Sequence, residues 1–162
     1  VSAGTMRAGV RIGVDVGRAR VGVARCDRDG LLATPVETIQ RASVDVVARL
    51  REIAAELSAV EAVVGLPISL SGGDTPSTQD AREMAAQLAA SMPVRLVDER
   101  LSTVTASAGM RASGKSTRQQ RATIDQAAAV VILQHALDSE RASGRAPGEL
   151  LTDGGAAAQR EG

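Results

Sequence analysis

Phenylalanine, tyrosine and tryptophan are all absent from the 162 residues of this chain. Its core must therefore be assembled from Val, Leu, Ile, Ala and Met. Single-strand binding by stacking bases on aromatic rings is excluded as well, and a base-flipping pocket that relies on such stacking is disfavoured. There is one cysteine, Cys26, which rules out an intramolecular disulfide and a cysteine cage for zinc. An excess of either charge is also missing, because acidic and basic residues number 19 each. Contact with a polyanion then has to come from a local patch rather than from summed charge. No apolar run is long enough to span a membrane. The opening VSAGTMRAGV lacks the apolar region of a secretion signal. The expectation is a soluble, cytoplasmic protein with no membrane contact.

What the chain does have is arginine. Lys115 is the single lysine, so Arg supplies the rest of the positive charge, and Arg pairs bidentately with phosphate and carboxylate. The length suits one domain with a real core. VRIGVDVG (10–17) alternates apolar positions, ARVGVARCD (19–27) does the same, and LLATPVETI (31–39) follows a DRDG turn. Three strands joined by short turns predict an antiparallel meander, with Pro35 favouring an edge or a bulge. Val46, Leu50, Ile53, Ala54 and Leu57 then fall at helical spacing over 43–58. EAVVGLP (61–67) is a short buried strand, and Pro76 can open the next helix. PVRLVDE (93–99) is the fifth strand, 101–112 a weak helix and 117–140 a strong one. The expected organisation is a flexible arm over 1–9, one domain over 10–140 and a disordered tail over 141–162. The expected fold is α/β: a mixed five-stranded sheet, an antiparallel β1–β3 meander plus parallel strands, with helices on both faces.

Acids stand at apolar addresses. Asp15 lies inside the strand IGVDVG, between Gly13 and Gly17, whose missing side chains leave room for a ligand to approach the backbone. A charge on a central strand is costly unless paired or metal-bound; the plain alternative is pairing with Arg18 or Arg20. Asp98 and Glu99 end the fifth strand. Neighbours on a strand point to opposite faces, so only one of them shares the side of Asp15. Asp125 sits in TIDQAAAVVILQ, where Ala128, Ala129 and Ile132 make its own helix face apolar; the plain alternative is pairing with Arg121. Converging carboxylates repel unless a cation neutralises them. An all-oxygen donor set suits Mg²⁺ or Mn²⁺ rather than zinc. Two such ions ~4 Å apart clamp both oxygens of an in-line phosphoryl displacement, which is nuclease chemistry.

Together, IGVDVGRARVGVARCD, VVGLP, VDERLST and IDQAAAVVILQ, in this order over about 10–140, resemble the YqgF/RuvX family. This is the bacterial group related to RuvC-type Holliday junction resolvases, with an RNase H-like fold. The resemblance implies an acidic site made of Asp15, the Asp98-Glu99 pair and Asp125, and analogy with the resolvases favours Glu99 over Asp98 as the ligand. It implies a hydrolase acting on structured RNA precursors, at the 5′ end of pre-16S rRNA, or on branched DNA. The sequence itself does not choose between RNA and DNA. A monomer or a homodimer is compatible with it, junction cleavage requiring two sites. One departure is that RuvC-type enzymes carry a second acid one turn along the last helix, where this chain has Ala128.

Between Glu99 and Asp125 no acid occurs, but Arg100, Arg111, Lys115, Arg118 and Arg121 do. With Arg18 and Arg20 near Asp15 they form a candidate phosphate-binding patch, whose grip would weaken with salt. Two rivals follow. One is a nucleic-acid-binding module with a degenerate site, motivated by Ala128. The other is a P-loop NTPase, because Gly109–Ser116 satisfies G-x-x-x-x-G-K-[ST]; that motif needs a buried strand before it, and LSTVTASA is a poor one. His135, the single histidine, is expected to serve packing or the surface.

Overall fold

The computed structural model describes residues 6–69, 71–98 and 117–151, the last stretch with side chains from 125 onward. The elements run β1 (Arg11–Val16), β2 (Arg20–Cys26), β3 (Ala33–Gln40), α1 (Val46–Leu57), β4 (Glu61–Leu66), α2 (Pro76–Ala89), β5 (Val94–Asp98), α3 (Thr117–Ser143) and β6 (Glu149–Leu151). One six-stranded sheet has the order β3-β2-β1-β4-β5-β6. The meander β1–β2–β3 is antiparallel, β4 and β5 run parallel to β1, and β6 returns antiparallel. Pro35 lies on the edge strand, and the β2–β3 register shifts opposite it, so that Val36 is the extra residue of a bulge.

Strand alternation divides the sheet cleanly. Ile12, Val14, Val16, Val21, Val23, Val64, Leu66, Val94 and Leu96 pack against the apolar stripes of α1 and α2. Ala24, Cys26, Ala33 and Val63 face the other way and pack against Ala129, Ile132, Leu133, Ala136 and Leu137 of α3. Cys26 is buried there, 1% exposed, so its thiol is a core group. Caps fix the helices on the first face. The Asp45 side chain accepts from the Ala48 amide at the start of α1, and Ser58 ends it in the left-handed conformation, φ 52°. Thr75 and Thr78 form a reciprocal capping box ahead of α2, with Pro76 in its first turn. Among the described residues no helix is long and apolar enough to cross a membrane.

Two expectations about the chain ends are corrected. The sheet has six strands rather than five, and residues 141–151 belong to the fold: α3 continues to Ser143 and β6 pairs with β5. The signal is weak because β6 is three residues in a Gly- and Ala-rich stretch, and its partner is far away in sequence. Residues 7–9 are docked as well. The Arg7 guanidinium donates to Glu61 of β4 at 2.9 and 3.2 Å and to Glu140 of α3 at 2.8 and 2.9 Å. Arg95 adds a bond to Glu61 at 2.7 Å, and Arg11 lies 3.5 Å from Glu140. Glu61 and Glu140 are each 3% exposed, so neither could carry its charge there without these cations.

Burial pushes the Glu140 carboxyl up, but hydrogen bonds from Arg7 outweigh it and hold the group below the usual glutamate value of 4.5. A carboxylate more acidic in the folded than in the unfolded chain stabilises fully above its unfolded pKa, and that stabilisation is lost as pH falls through the folded one. The wild-type chain should therefore lose stability as pH drops below about 4.5. Glu140→Gln should be less stable at pH 7 by on the order of 3 kcal/mol, the cost of stranding a buried partner, and should show a flatter pH dependence below pH 5. Urea unfolding from pH 3 to 7 measures both; parallel pH curves for the two proteins would refute this role.

Candidate active site

Asp15 faces the α3 side of the sheet. It follows Gly13 by two positions on β1, and its register partner on β2 is Gly22, so its half-buried side chain and the Gly22 α-hydrogen share a face. A Cβ placed on Gly22 would collide with the backbone carbonyl of Asp125. The turn of α3 at Asp125 therefore lies directly over the position beside Asp15. Further along, a Cβ on Gly13 would come within 2.7 Å of Leu133 Cβ and 2.9 Å of the Ala129 carbonyl oxygen. Asp125, Ala129 and Leu133 are spaced four apart and form one stripe of α3. Two glycines on adjacent strands let that stripe sink onto the backbone of the sheet, and the sinking brings the Asp125 backbone over Gly22, the residue opposite Asp15. The space at Gly13 is thus filled by the helix rather than left for a ligand, which corrects the expectation for that glycine. At Gly17 the neighbour is the Arg20 carbonyl of the β1–β2 turn.

The charge around Asp125 is local. Arg20 opens β2 on the same face, and its Nε donates to Asp125 Oδ2 at 2.7 Å. Arg20, expected as a phosphate contact, is here the partner of a candidate ligand; the expected alternative partner of Asp125, Arg121, has a side chain outside the described residues. Gln126 donates to Thr38 Oγ1 at 3.0 Å and ties the same turn of α3 to β3. The turn bearing Arg18 and Arg20 is fixed by backbone bonds from Gly17 to the Arg20 carbonyl, 2.9 Å, and from Arg41 to the Ala19 carbonyl, 3.0 Å. Arg41 also reaches the Gly17 carbonyl at 2.8 Å and both oxygens of Asp80 at 2.6 and 3.0 Å. Those Arg41 bonds hold the Asp80 carboxyl below its usual range and anchor the end of β1 to α2. Sequence reasoning missed Arg41 and Asp80, because nothing in their local patterns links them to Gly17. Arg18 is exposed at the tip of the turn, beside a cleft of about 350 Å³ lined by Arg41, Pro76, Ser77 and Asp80.

Asp98 pairs with Leu66 across β4 and β5. Leu66 and Leu96 both face α1 and α2, so alternation sets Asp98, which is exposed, on the face opposite Asp15. Glu99, Arg100, Arg111 and Lys115 lie outside the described residues, as do the side chains of Arg118 and Arg121 and the whole Gly109–Ser116 motif. Among the described residues no three carboxylate, His or Cys groups come together as a metal site; the described part of the candidate centre is the pair Asp15 and Asp125. As a donor set the pair fits a hard divalent cation. Both ligands are carboxylates, each stands on a regular element, and no sulfur or imidazole accompanies them. Ala128 is buried at 3% against the sheet, where a second acid would have no solvent. His135 is exposed, as expected of a surface role.

Comparison with known proteins bears on this arrangement. A family model described as "RuvX: Holliday junction resolvase" matches residues 9–139. A protein of Streptomyces coelicolor named "Putative pre-16S rRNA nuclease" is 57% identical over 148 residues, covering 89% of each chain. Proteins of the same name from Clavibacter sepedonicus and a Nocardioides strain are 56% and 55% identical, over 90% and 91% of this chain and 93% and 99% of theirs. Among solved structures, Thermus thermophilus RuvC in complex with a Holliday junction substrate superposes with a TM-score of 0.50 over 82% of this chain and 95% of that one. At 15% identity the likeness speaks for the fold alone, and it agrees with the RNase H-like class expected from the motifs.

The close approach at Gly22 is testable. Gly22→Ala forces a methyl group against the Asp125 carbonyl, and overpacking of this kind costs about 1–3 kcal/mol. At this chain length that is a drop in Tm of roughly 4–8 °C for 2 kcal/mol. Differential scanning calorimetry reads it directly, and a Tm within 1 °C of wild type would show that α3 is not seated where described.

Proposed function

This chain belongs to the RuvX family and is a nuclease, and we propose that it hydrolyses phosphodiester bonds with Mg²⁺ or Mn²⁺ held by Asp15, Glu99 and Asp125. The observation that carries this reading is the seating of the Asp125 backbone over Gly22, the residue directly opposite Asp15. The sequence resemblance supports Glu99 as the third ligand, and Asp98, which faces away from Asp15, stands apart from the pair. When bound, the cation would lower the pKa of a water and offset charge developing on the phosphate oxygens. The chain's own residues supply the rest. Asp15 on a central strand and Asp125 in the third turn of a long helix stand on rigid supports, which is what positioning within a fraction of an ångström requires. Arg18, and the basic segment Arg100, Arg111, Lys115, Arg118 and Arg121, would take up phosphates of the bound strand, with no base readout.

For the substrate, the names of the curated relatives favour the precursor of 16S rRNA, and a cut at its 5′ end is what the sequence resemblance implies. The family description favours branched DNA as the second reading, and that reaction would require two copies of the chain. A binding module without cleavage is kept as a rival by Ala128, since one carboxylate on α3 holds fewer cations than two.

One assay separates these readings. The wild-type chain is incubated with precursor rRNA and, in parallel, a four-way DNA junction, each with Mg²⁺ and with Mn²⁺. Cleavage should depend on the cation, and Asp15→Asn should lower it by about 10²-fold or more while nucleic-acid binding stays within about twofold. Equal cleavage by Asp15→Asn would remove the acidic site, and binding without any cleavage by the wild type would favour the binding module.

A further inference from the structure

We infer that Arg20 is a resident counter-cation for Asp125, seated on the carboxylate until a divalent ion displaces it. The inference rests on the reading of Asp125 as a metal ligand and concerns what occupies that carboxylate before any metal arrives. Asp125 is 16% exposed in its side chain and shares its helix stripe with Ala129 and Leu133. Such a position does not tolerate an unpaired charge. The Arg20 Nε bond at 2.7 Å supplies the missing cation. The delivery is rigid at the backbone and loose at the side chain. The turn is pinned through Gly17, Ala19 and Arg41, whereas the Arg20 side chain is 27% exposed and has solvent to swing into.

A guanidinium hydrogen-bonded to Oδ2 and a cation coordinated there compete for the same lone pairs, and a single positive charge beside an incoming double one repels it. Arg20 therefore stabilises the metal-free site and weakens its metal affinity by the free energy of the pair. This opposes the usual role of an outer-shell partner, which orients a ligand and strengthens binding. The two roles predict opposite signs for the same substitution.

Isothermal titration of the full chain with MnCl₂, free of nucleic acid, gives the sign. Arg20→Gln should bind Mn²⁺ about tenfold more tightly than wild type, the equivalent of ~1.4 kcal/mol for one charge-assisted hydrogen bond. Arg20→Lys keeps a competing cation and should stay within about threefold of wild type. Asp125→Asn should remove the titration. The metal-free Tm of Arg20→Gln should fall, and saturating Mn²⁺ should raise it by more than it raises that of wild type. An unchanged or weaker Kd in Arg20→Gln, with Asp125→Asn still inactive in binding, overturns the counter-cation role and leaves the metal site standing. Equal Mn²⁺ binding by wild type and Asp125→Asn removes both. An independent reading uses the wild-type chain alone. The Arg20 Nε proton should be protected from solvent exchange without metal and lose protection on saturation with Mg²⁺. Protection retained at saturation overturns the inference whether or not the variants fold.

Discussion

The structure depends on one close approach: the stripe Asp125, Ala129, Leu133 of α3 lying on β1 and β2 where Gly13 and Gly22 offer no side chain. Dispersion falls off steeply with distance, so a helix seated on bare backbone gains contacts that a helix held off by side chains does not. In a chain without aromatic residues this matters more than usual, because no large ring is available to fill a gap between helix and sheet. The same approach is what makes a site. Asp15 stands directly opposite Gly22, and the helix that sinks there brings a second carboxylate toward that row. Packing and chemistry are therefore consequences of the same two missing side chains.

A second constraint fixes how far along the sheet the helix lies. Asp125 and Glu140 are 15 residues apart on α3, about 22 Å along its axis. At the Glu140 end the helix is clamped by Arg7 and Arg11, and the same Arg7 joins it to Glu61 of β4. Intermediate bonds follow the helix along the meander: Gln134 exchanges bonds with the backbone at Leu31 and Ala33, and Arg141 donates to the Gly30 carbonyl. Nonpolar packing alone tolerates sliding by a turn, since Ala and Leu repeat along the stripe. Hydrogen bonds to specific carbonyls and carboxylates do not, so the polar groups set the register that the apolar ones leave open.

Much of this was legible in the chain. Strands β1–β5 and helices α1, α2 and α3 all follow from apolar periods and turn residues, and Pro35 lies at a bulged edge as its chemistry requires. Asp15 and Asp125 stood out because acids interrupted apolar patterns, which is a local signal. What escaped was non-local. Gly22 looks like any strand glycine until the helix arriving from residue 125 is known. Arg7 sits in a segment without periodicity, and its partners are 54 and 133 residues away. The nearness of Arg20 to Asp15 in sequence offered no hint of its pairing with Asp125, 105 residues later. β6 is too short to show a period at all.

Two points on α3, at Asp125 and at Glu140, use the same chemistry with different consequences, and burial decides which. Glu140 is 3% exposed and takes three bonds from Arg7, with Arg11, itself 1% exposed, close by. To break such a pair strands a charge with no water to receive it, so the clamp is permanent for as long as the chain is folded. Asp125 is 16% exposed and receives one bond from an arginine that is 27% exposed. Here either partner can be rehydrated when the other leaves, and a divalent ion can take the place of the guanidinium at moderate cost. A helix anchored near its C-terminal end by a buried clamp and paired at Asp125 with a more exposed arginine keeps its candidate ligand in position. That combination is what a site needs if it is to stay folded when empty and still accept a metal.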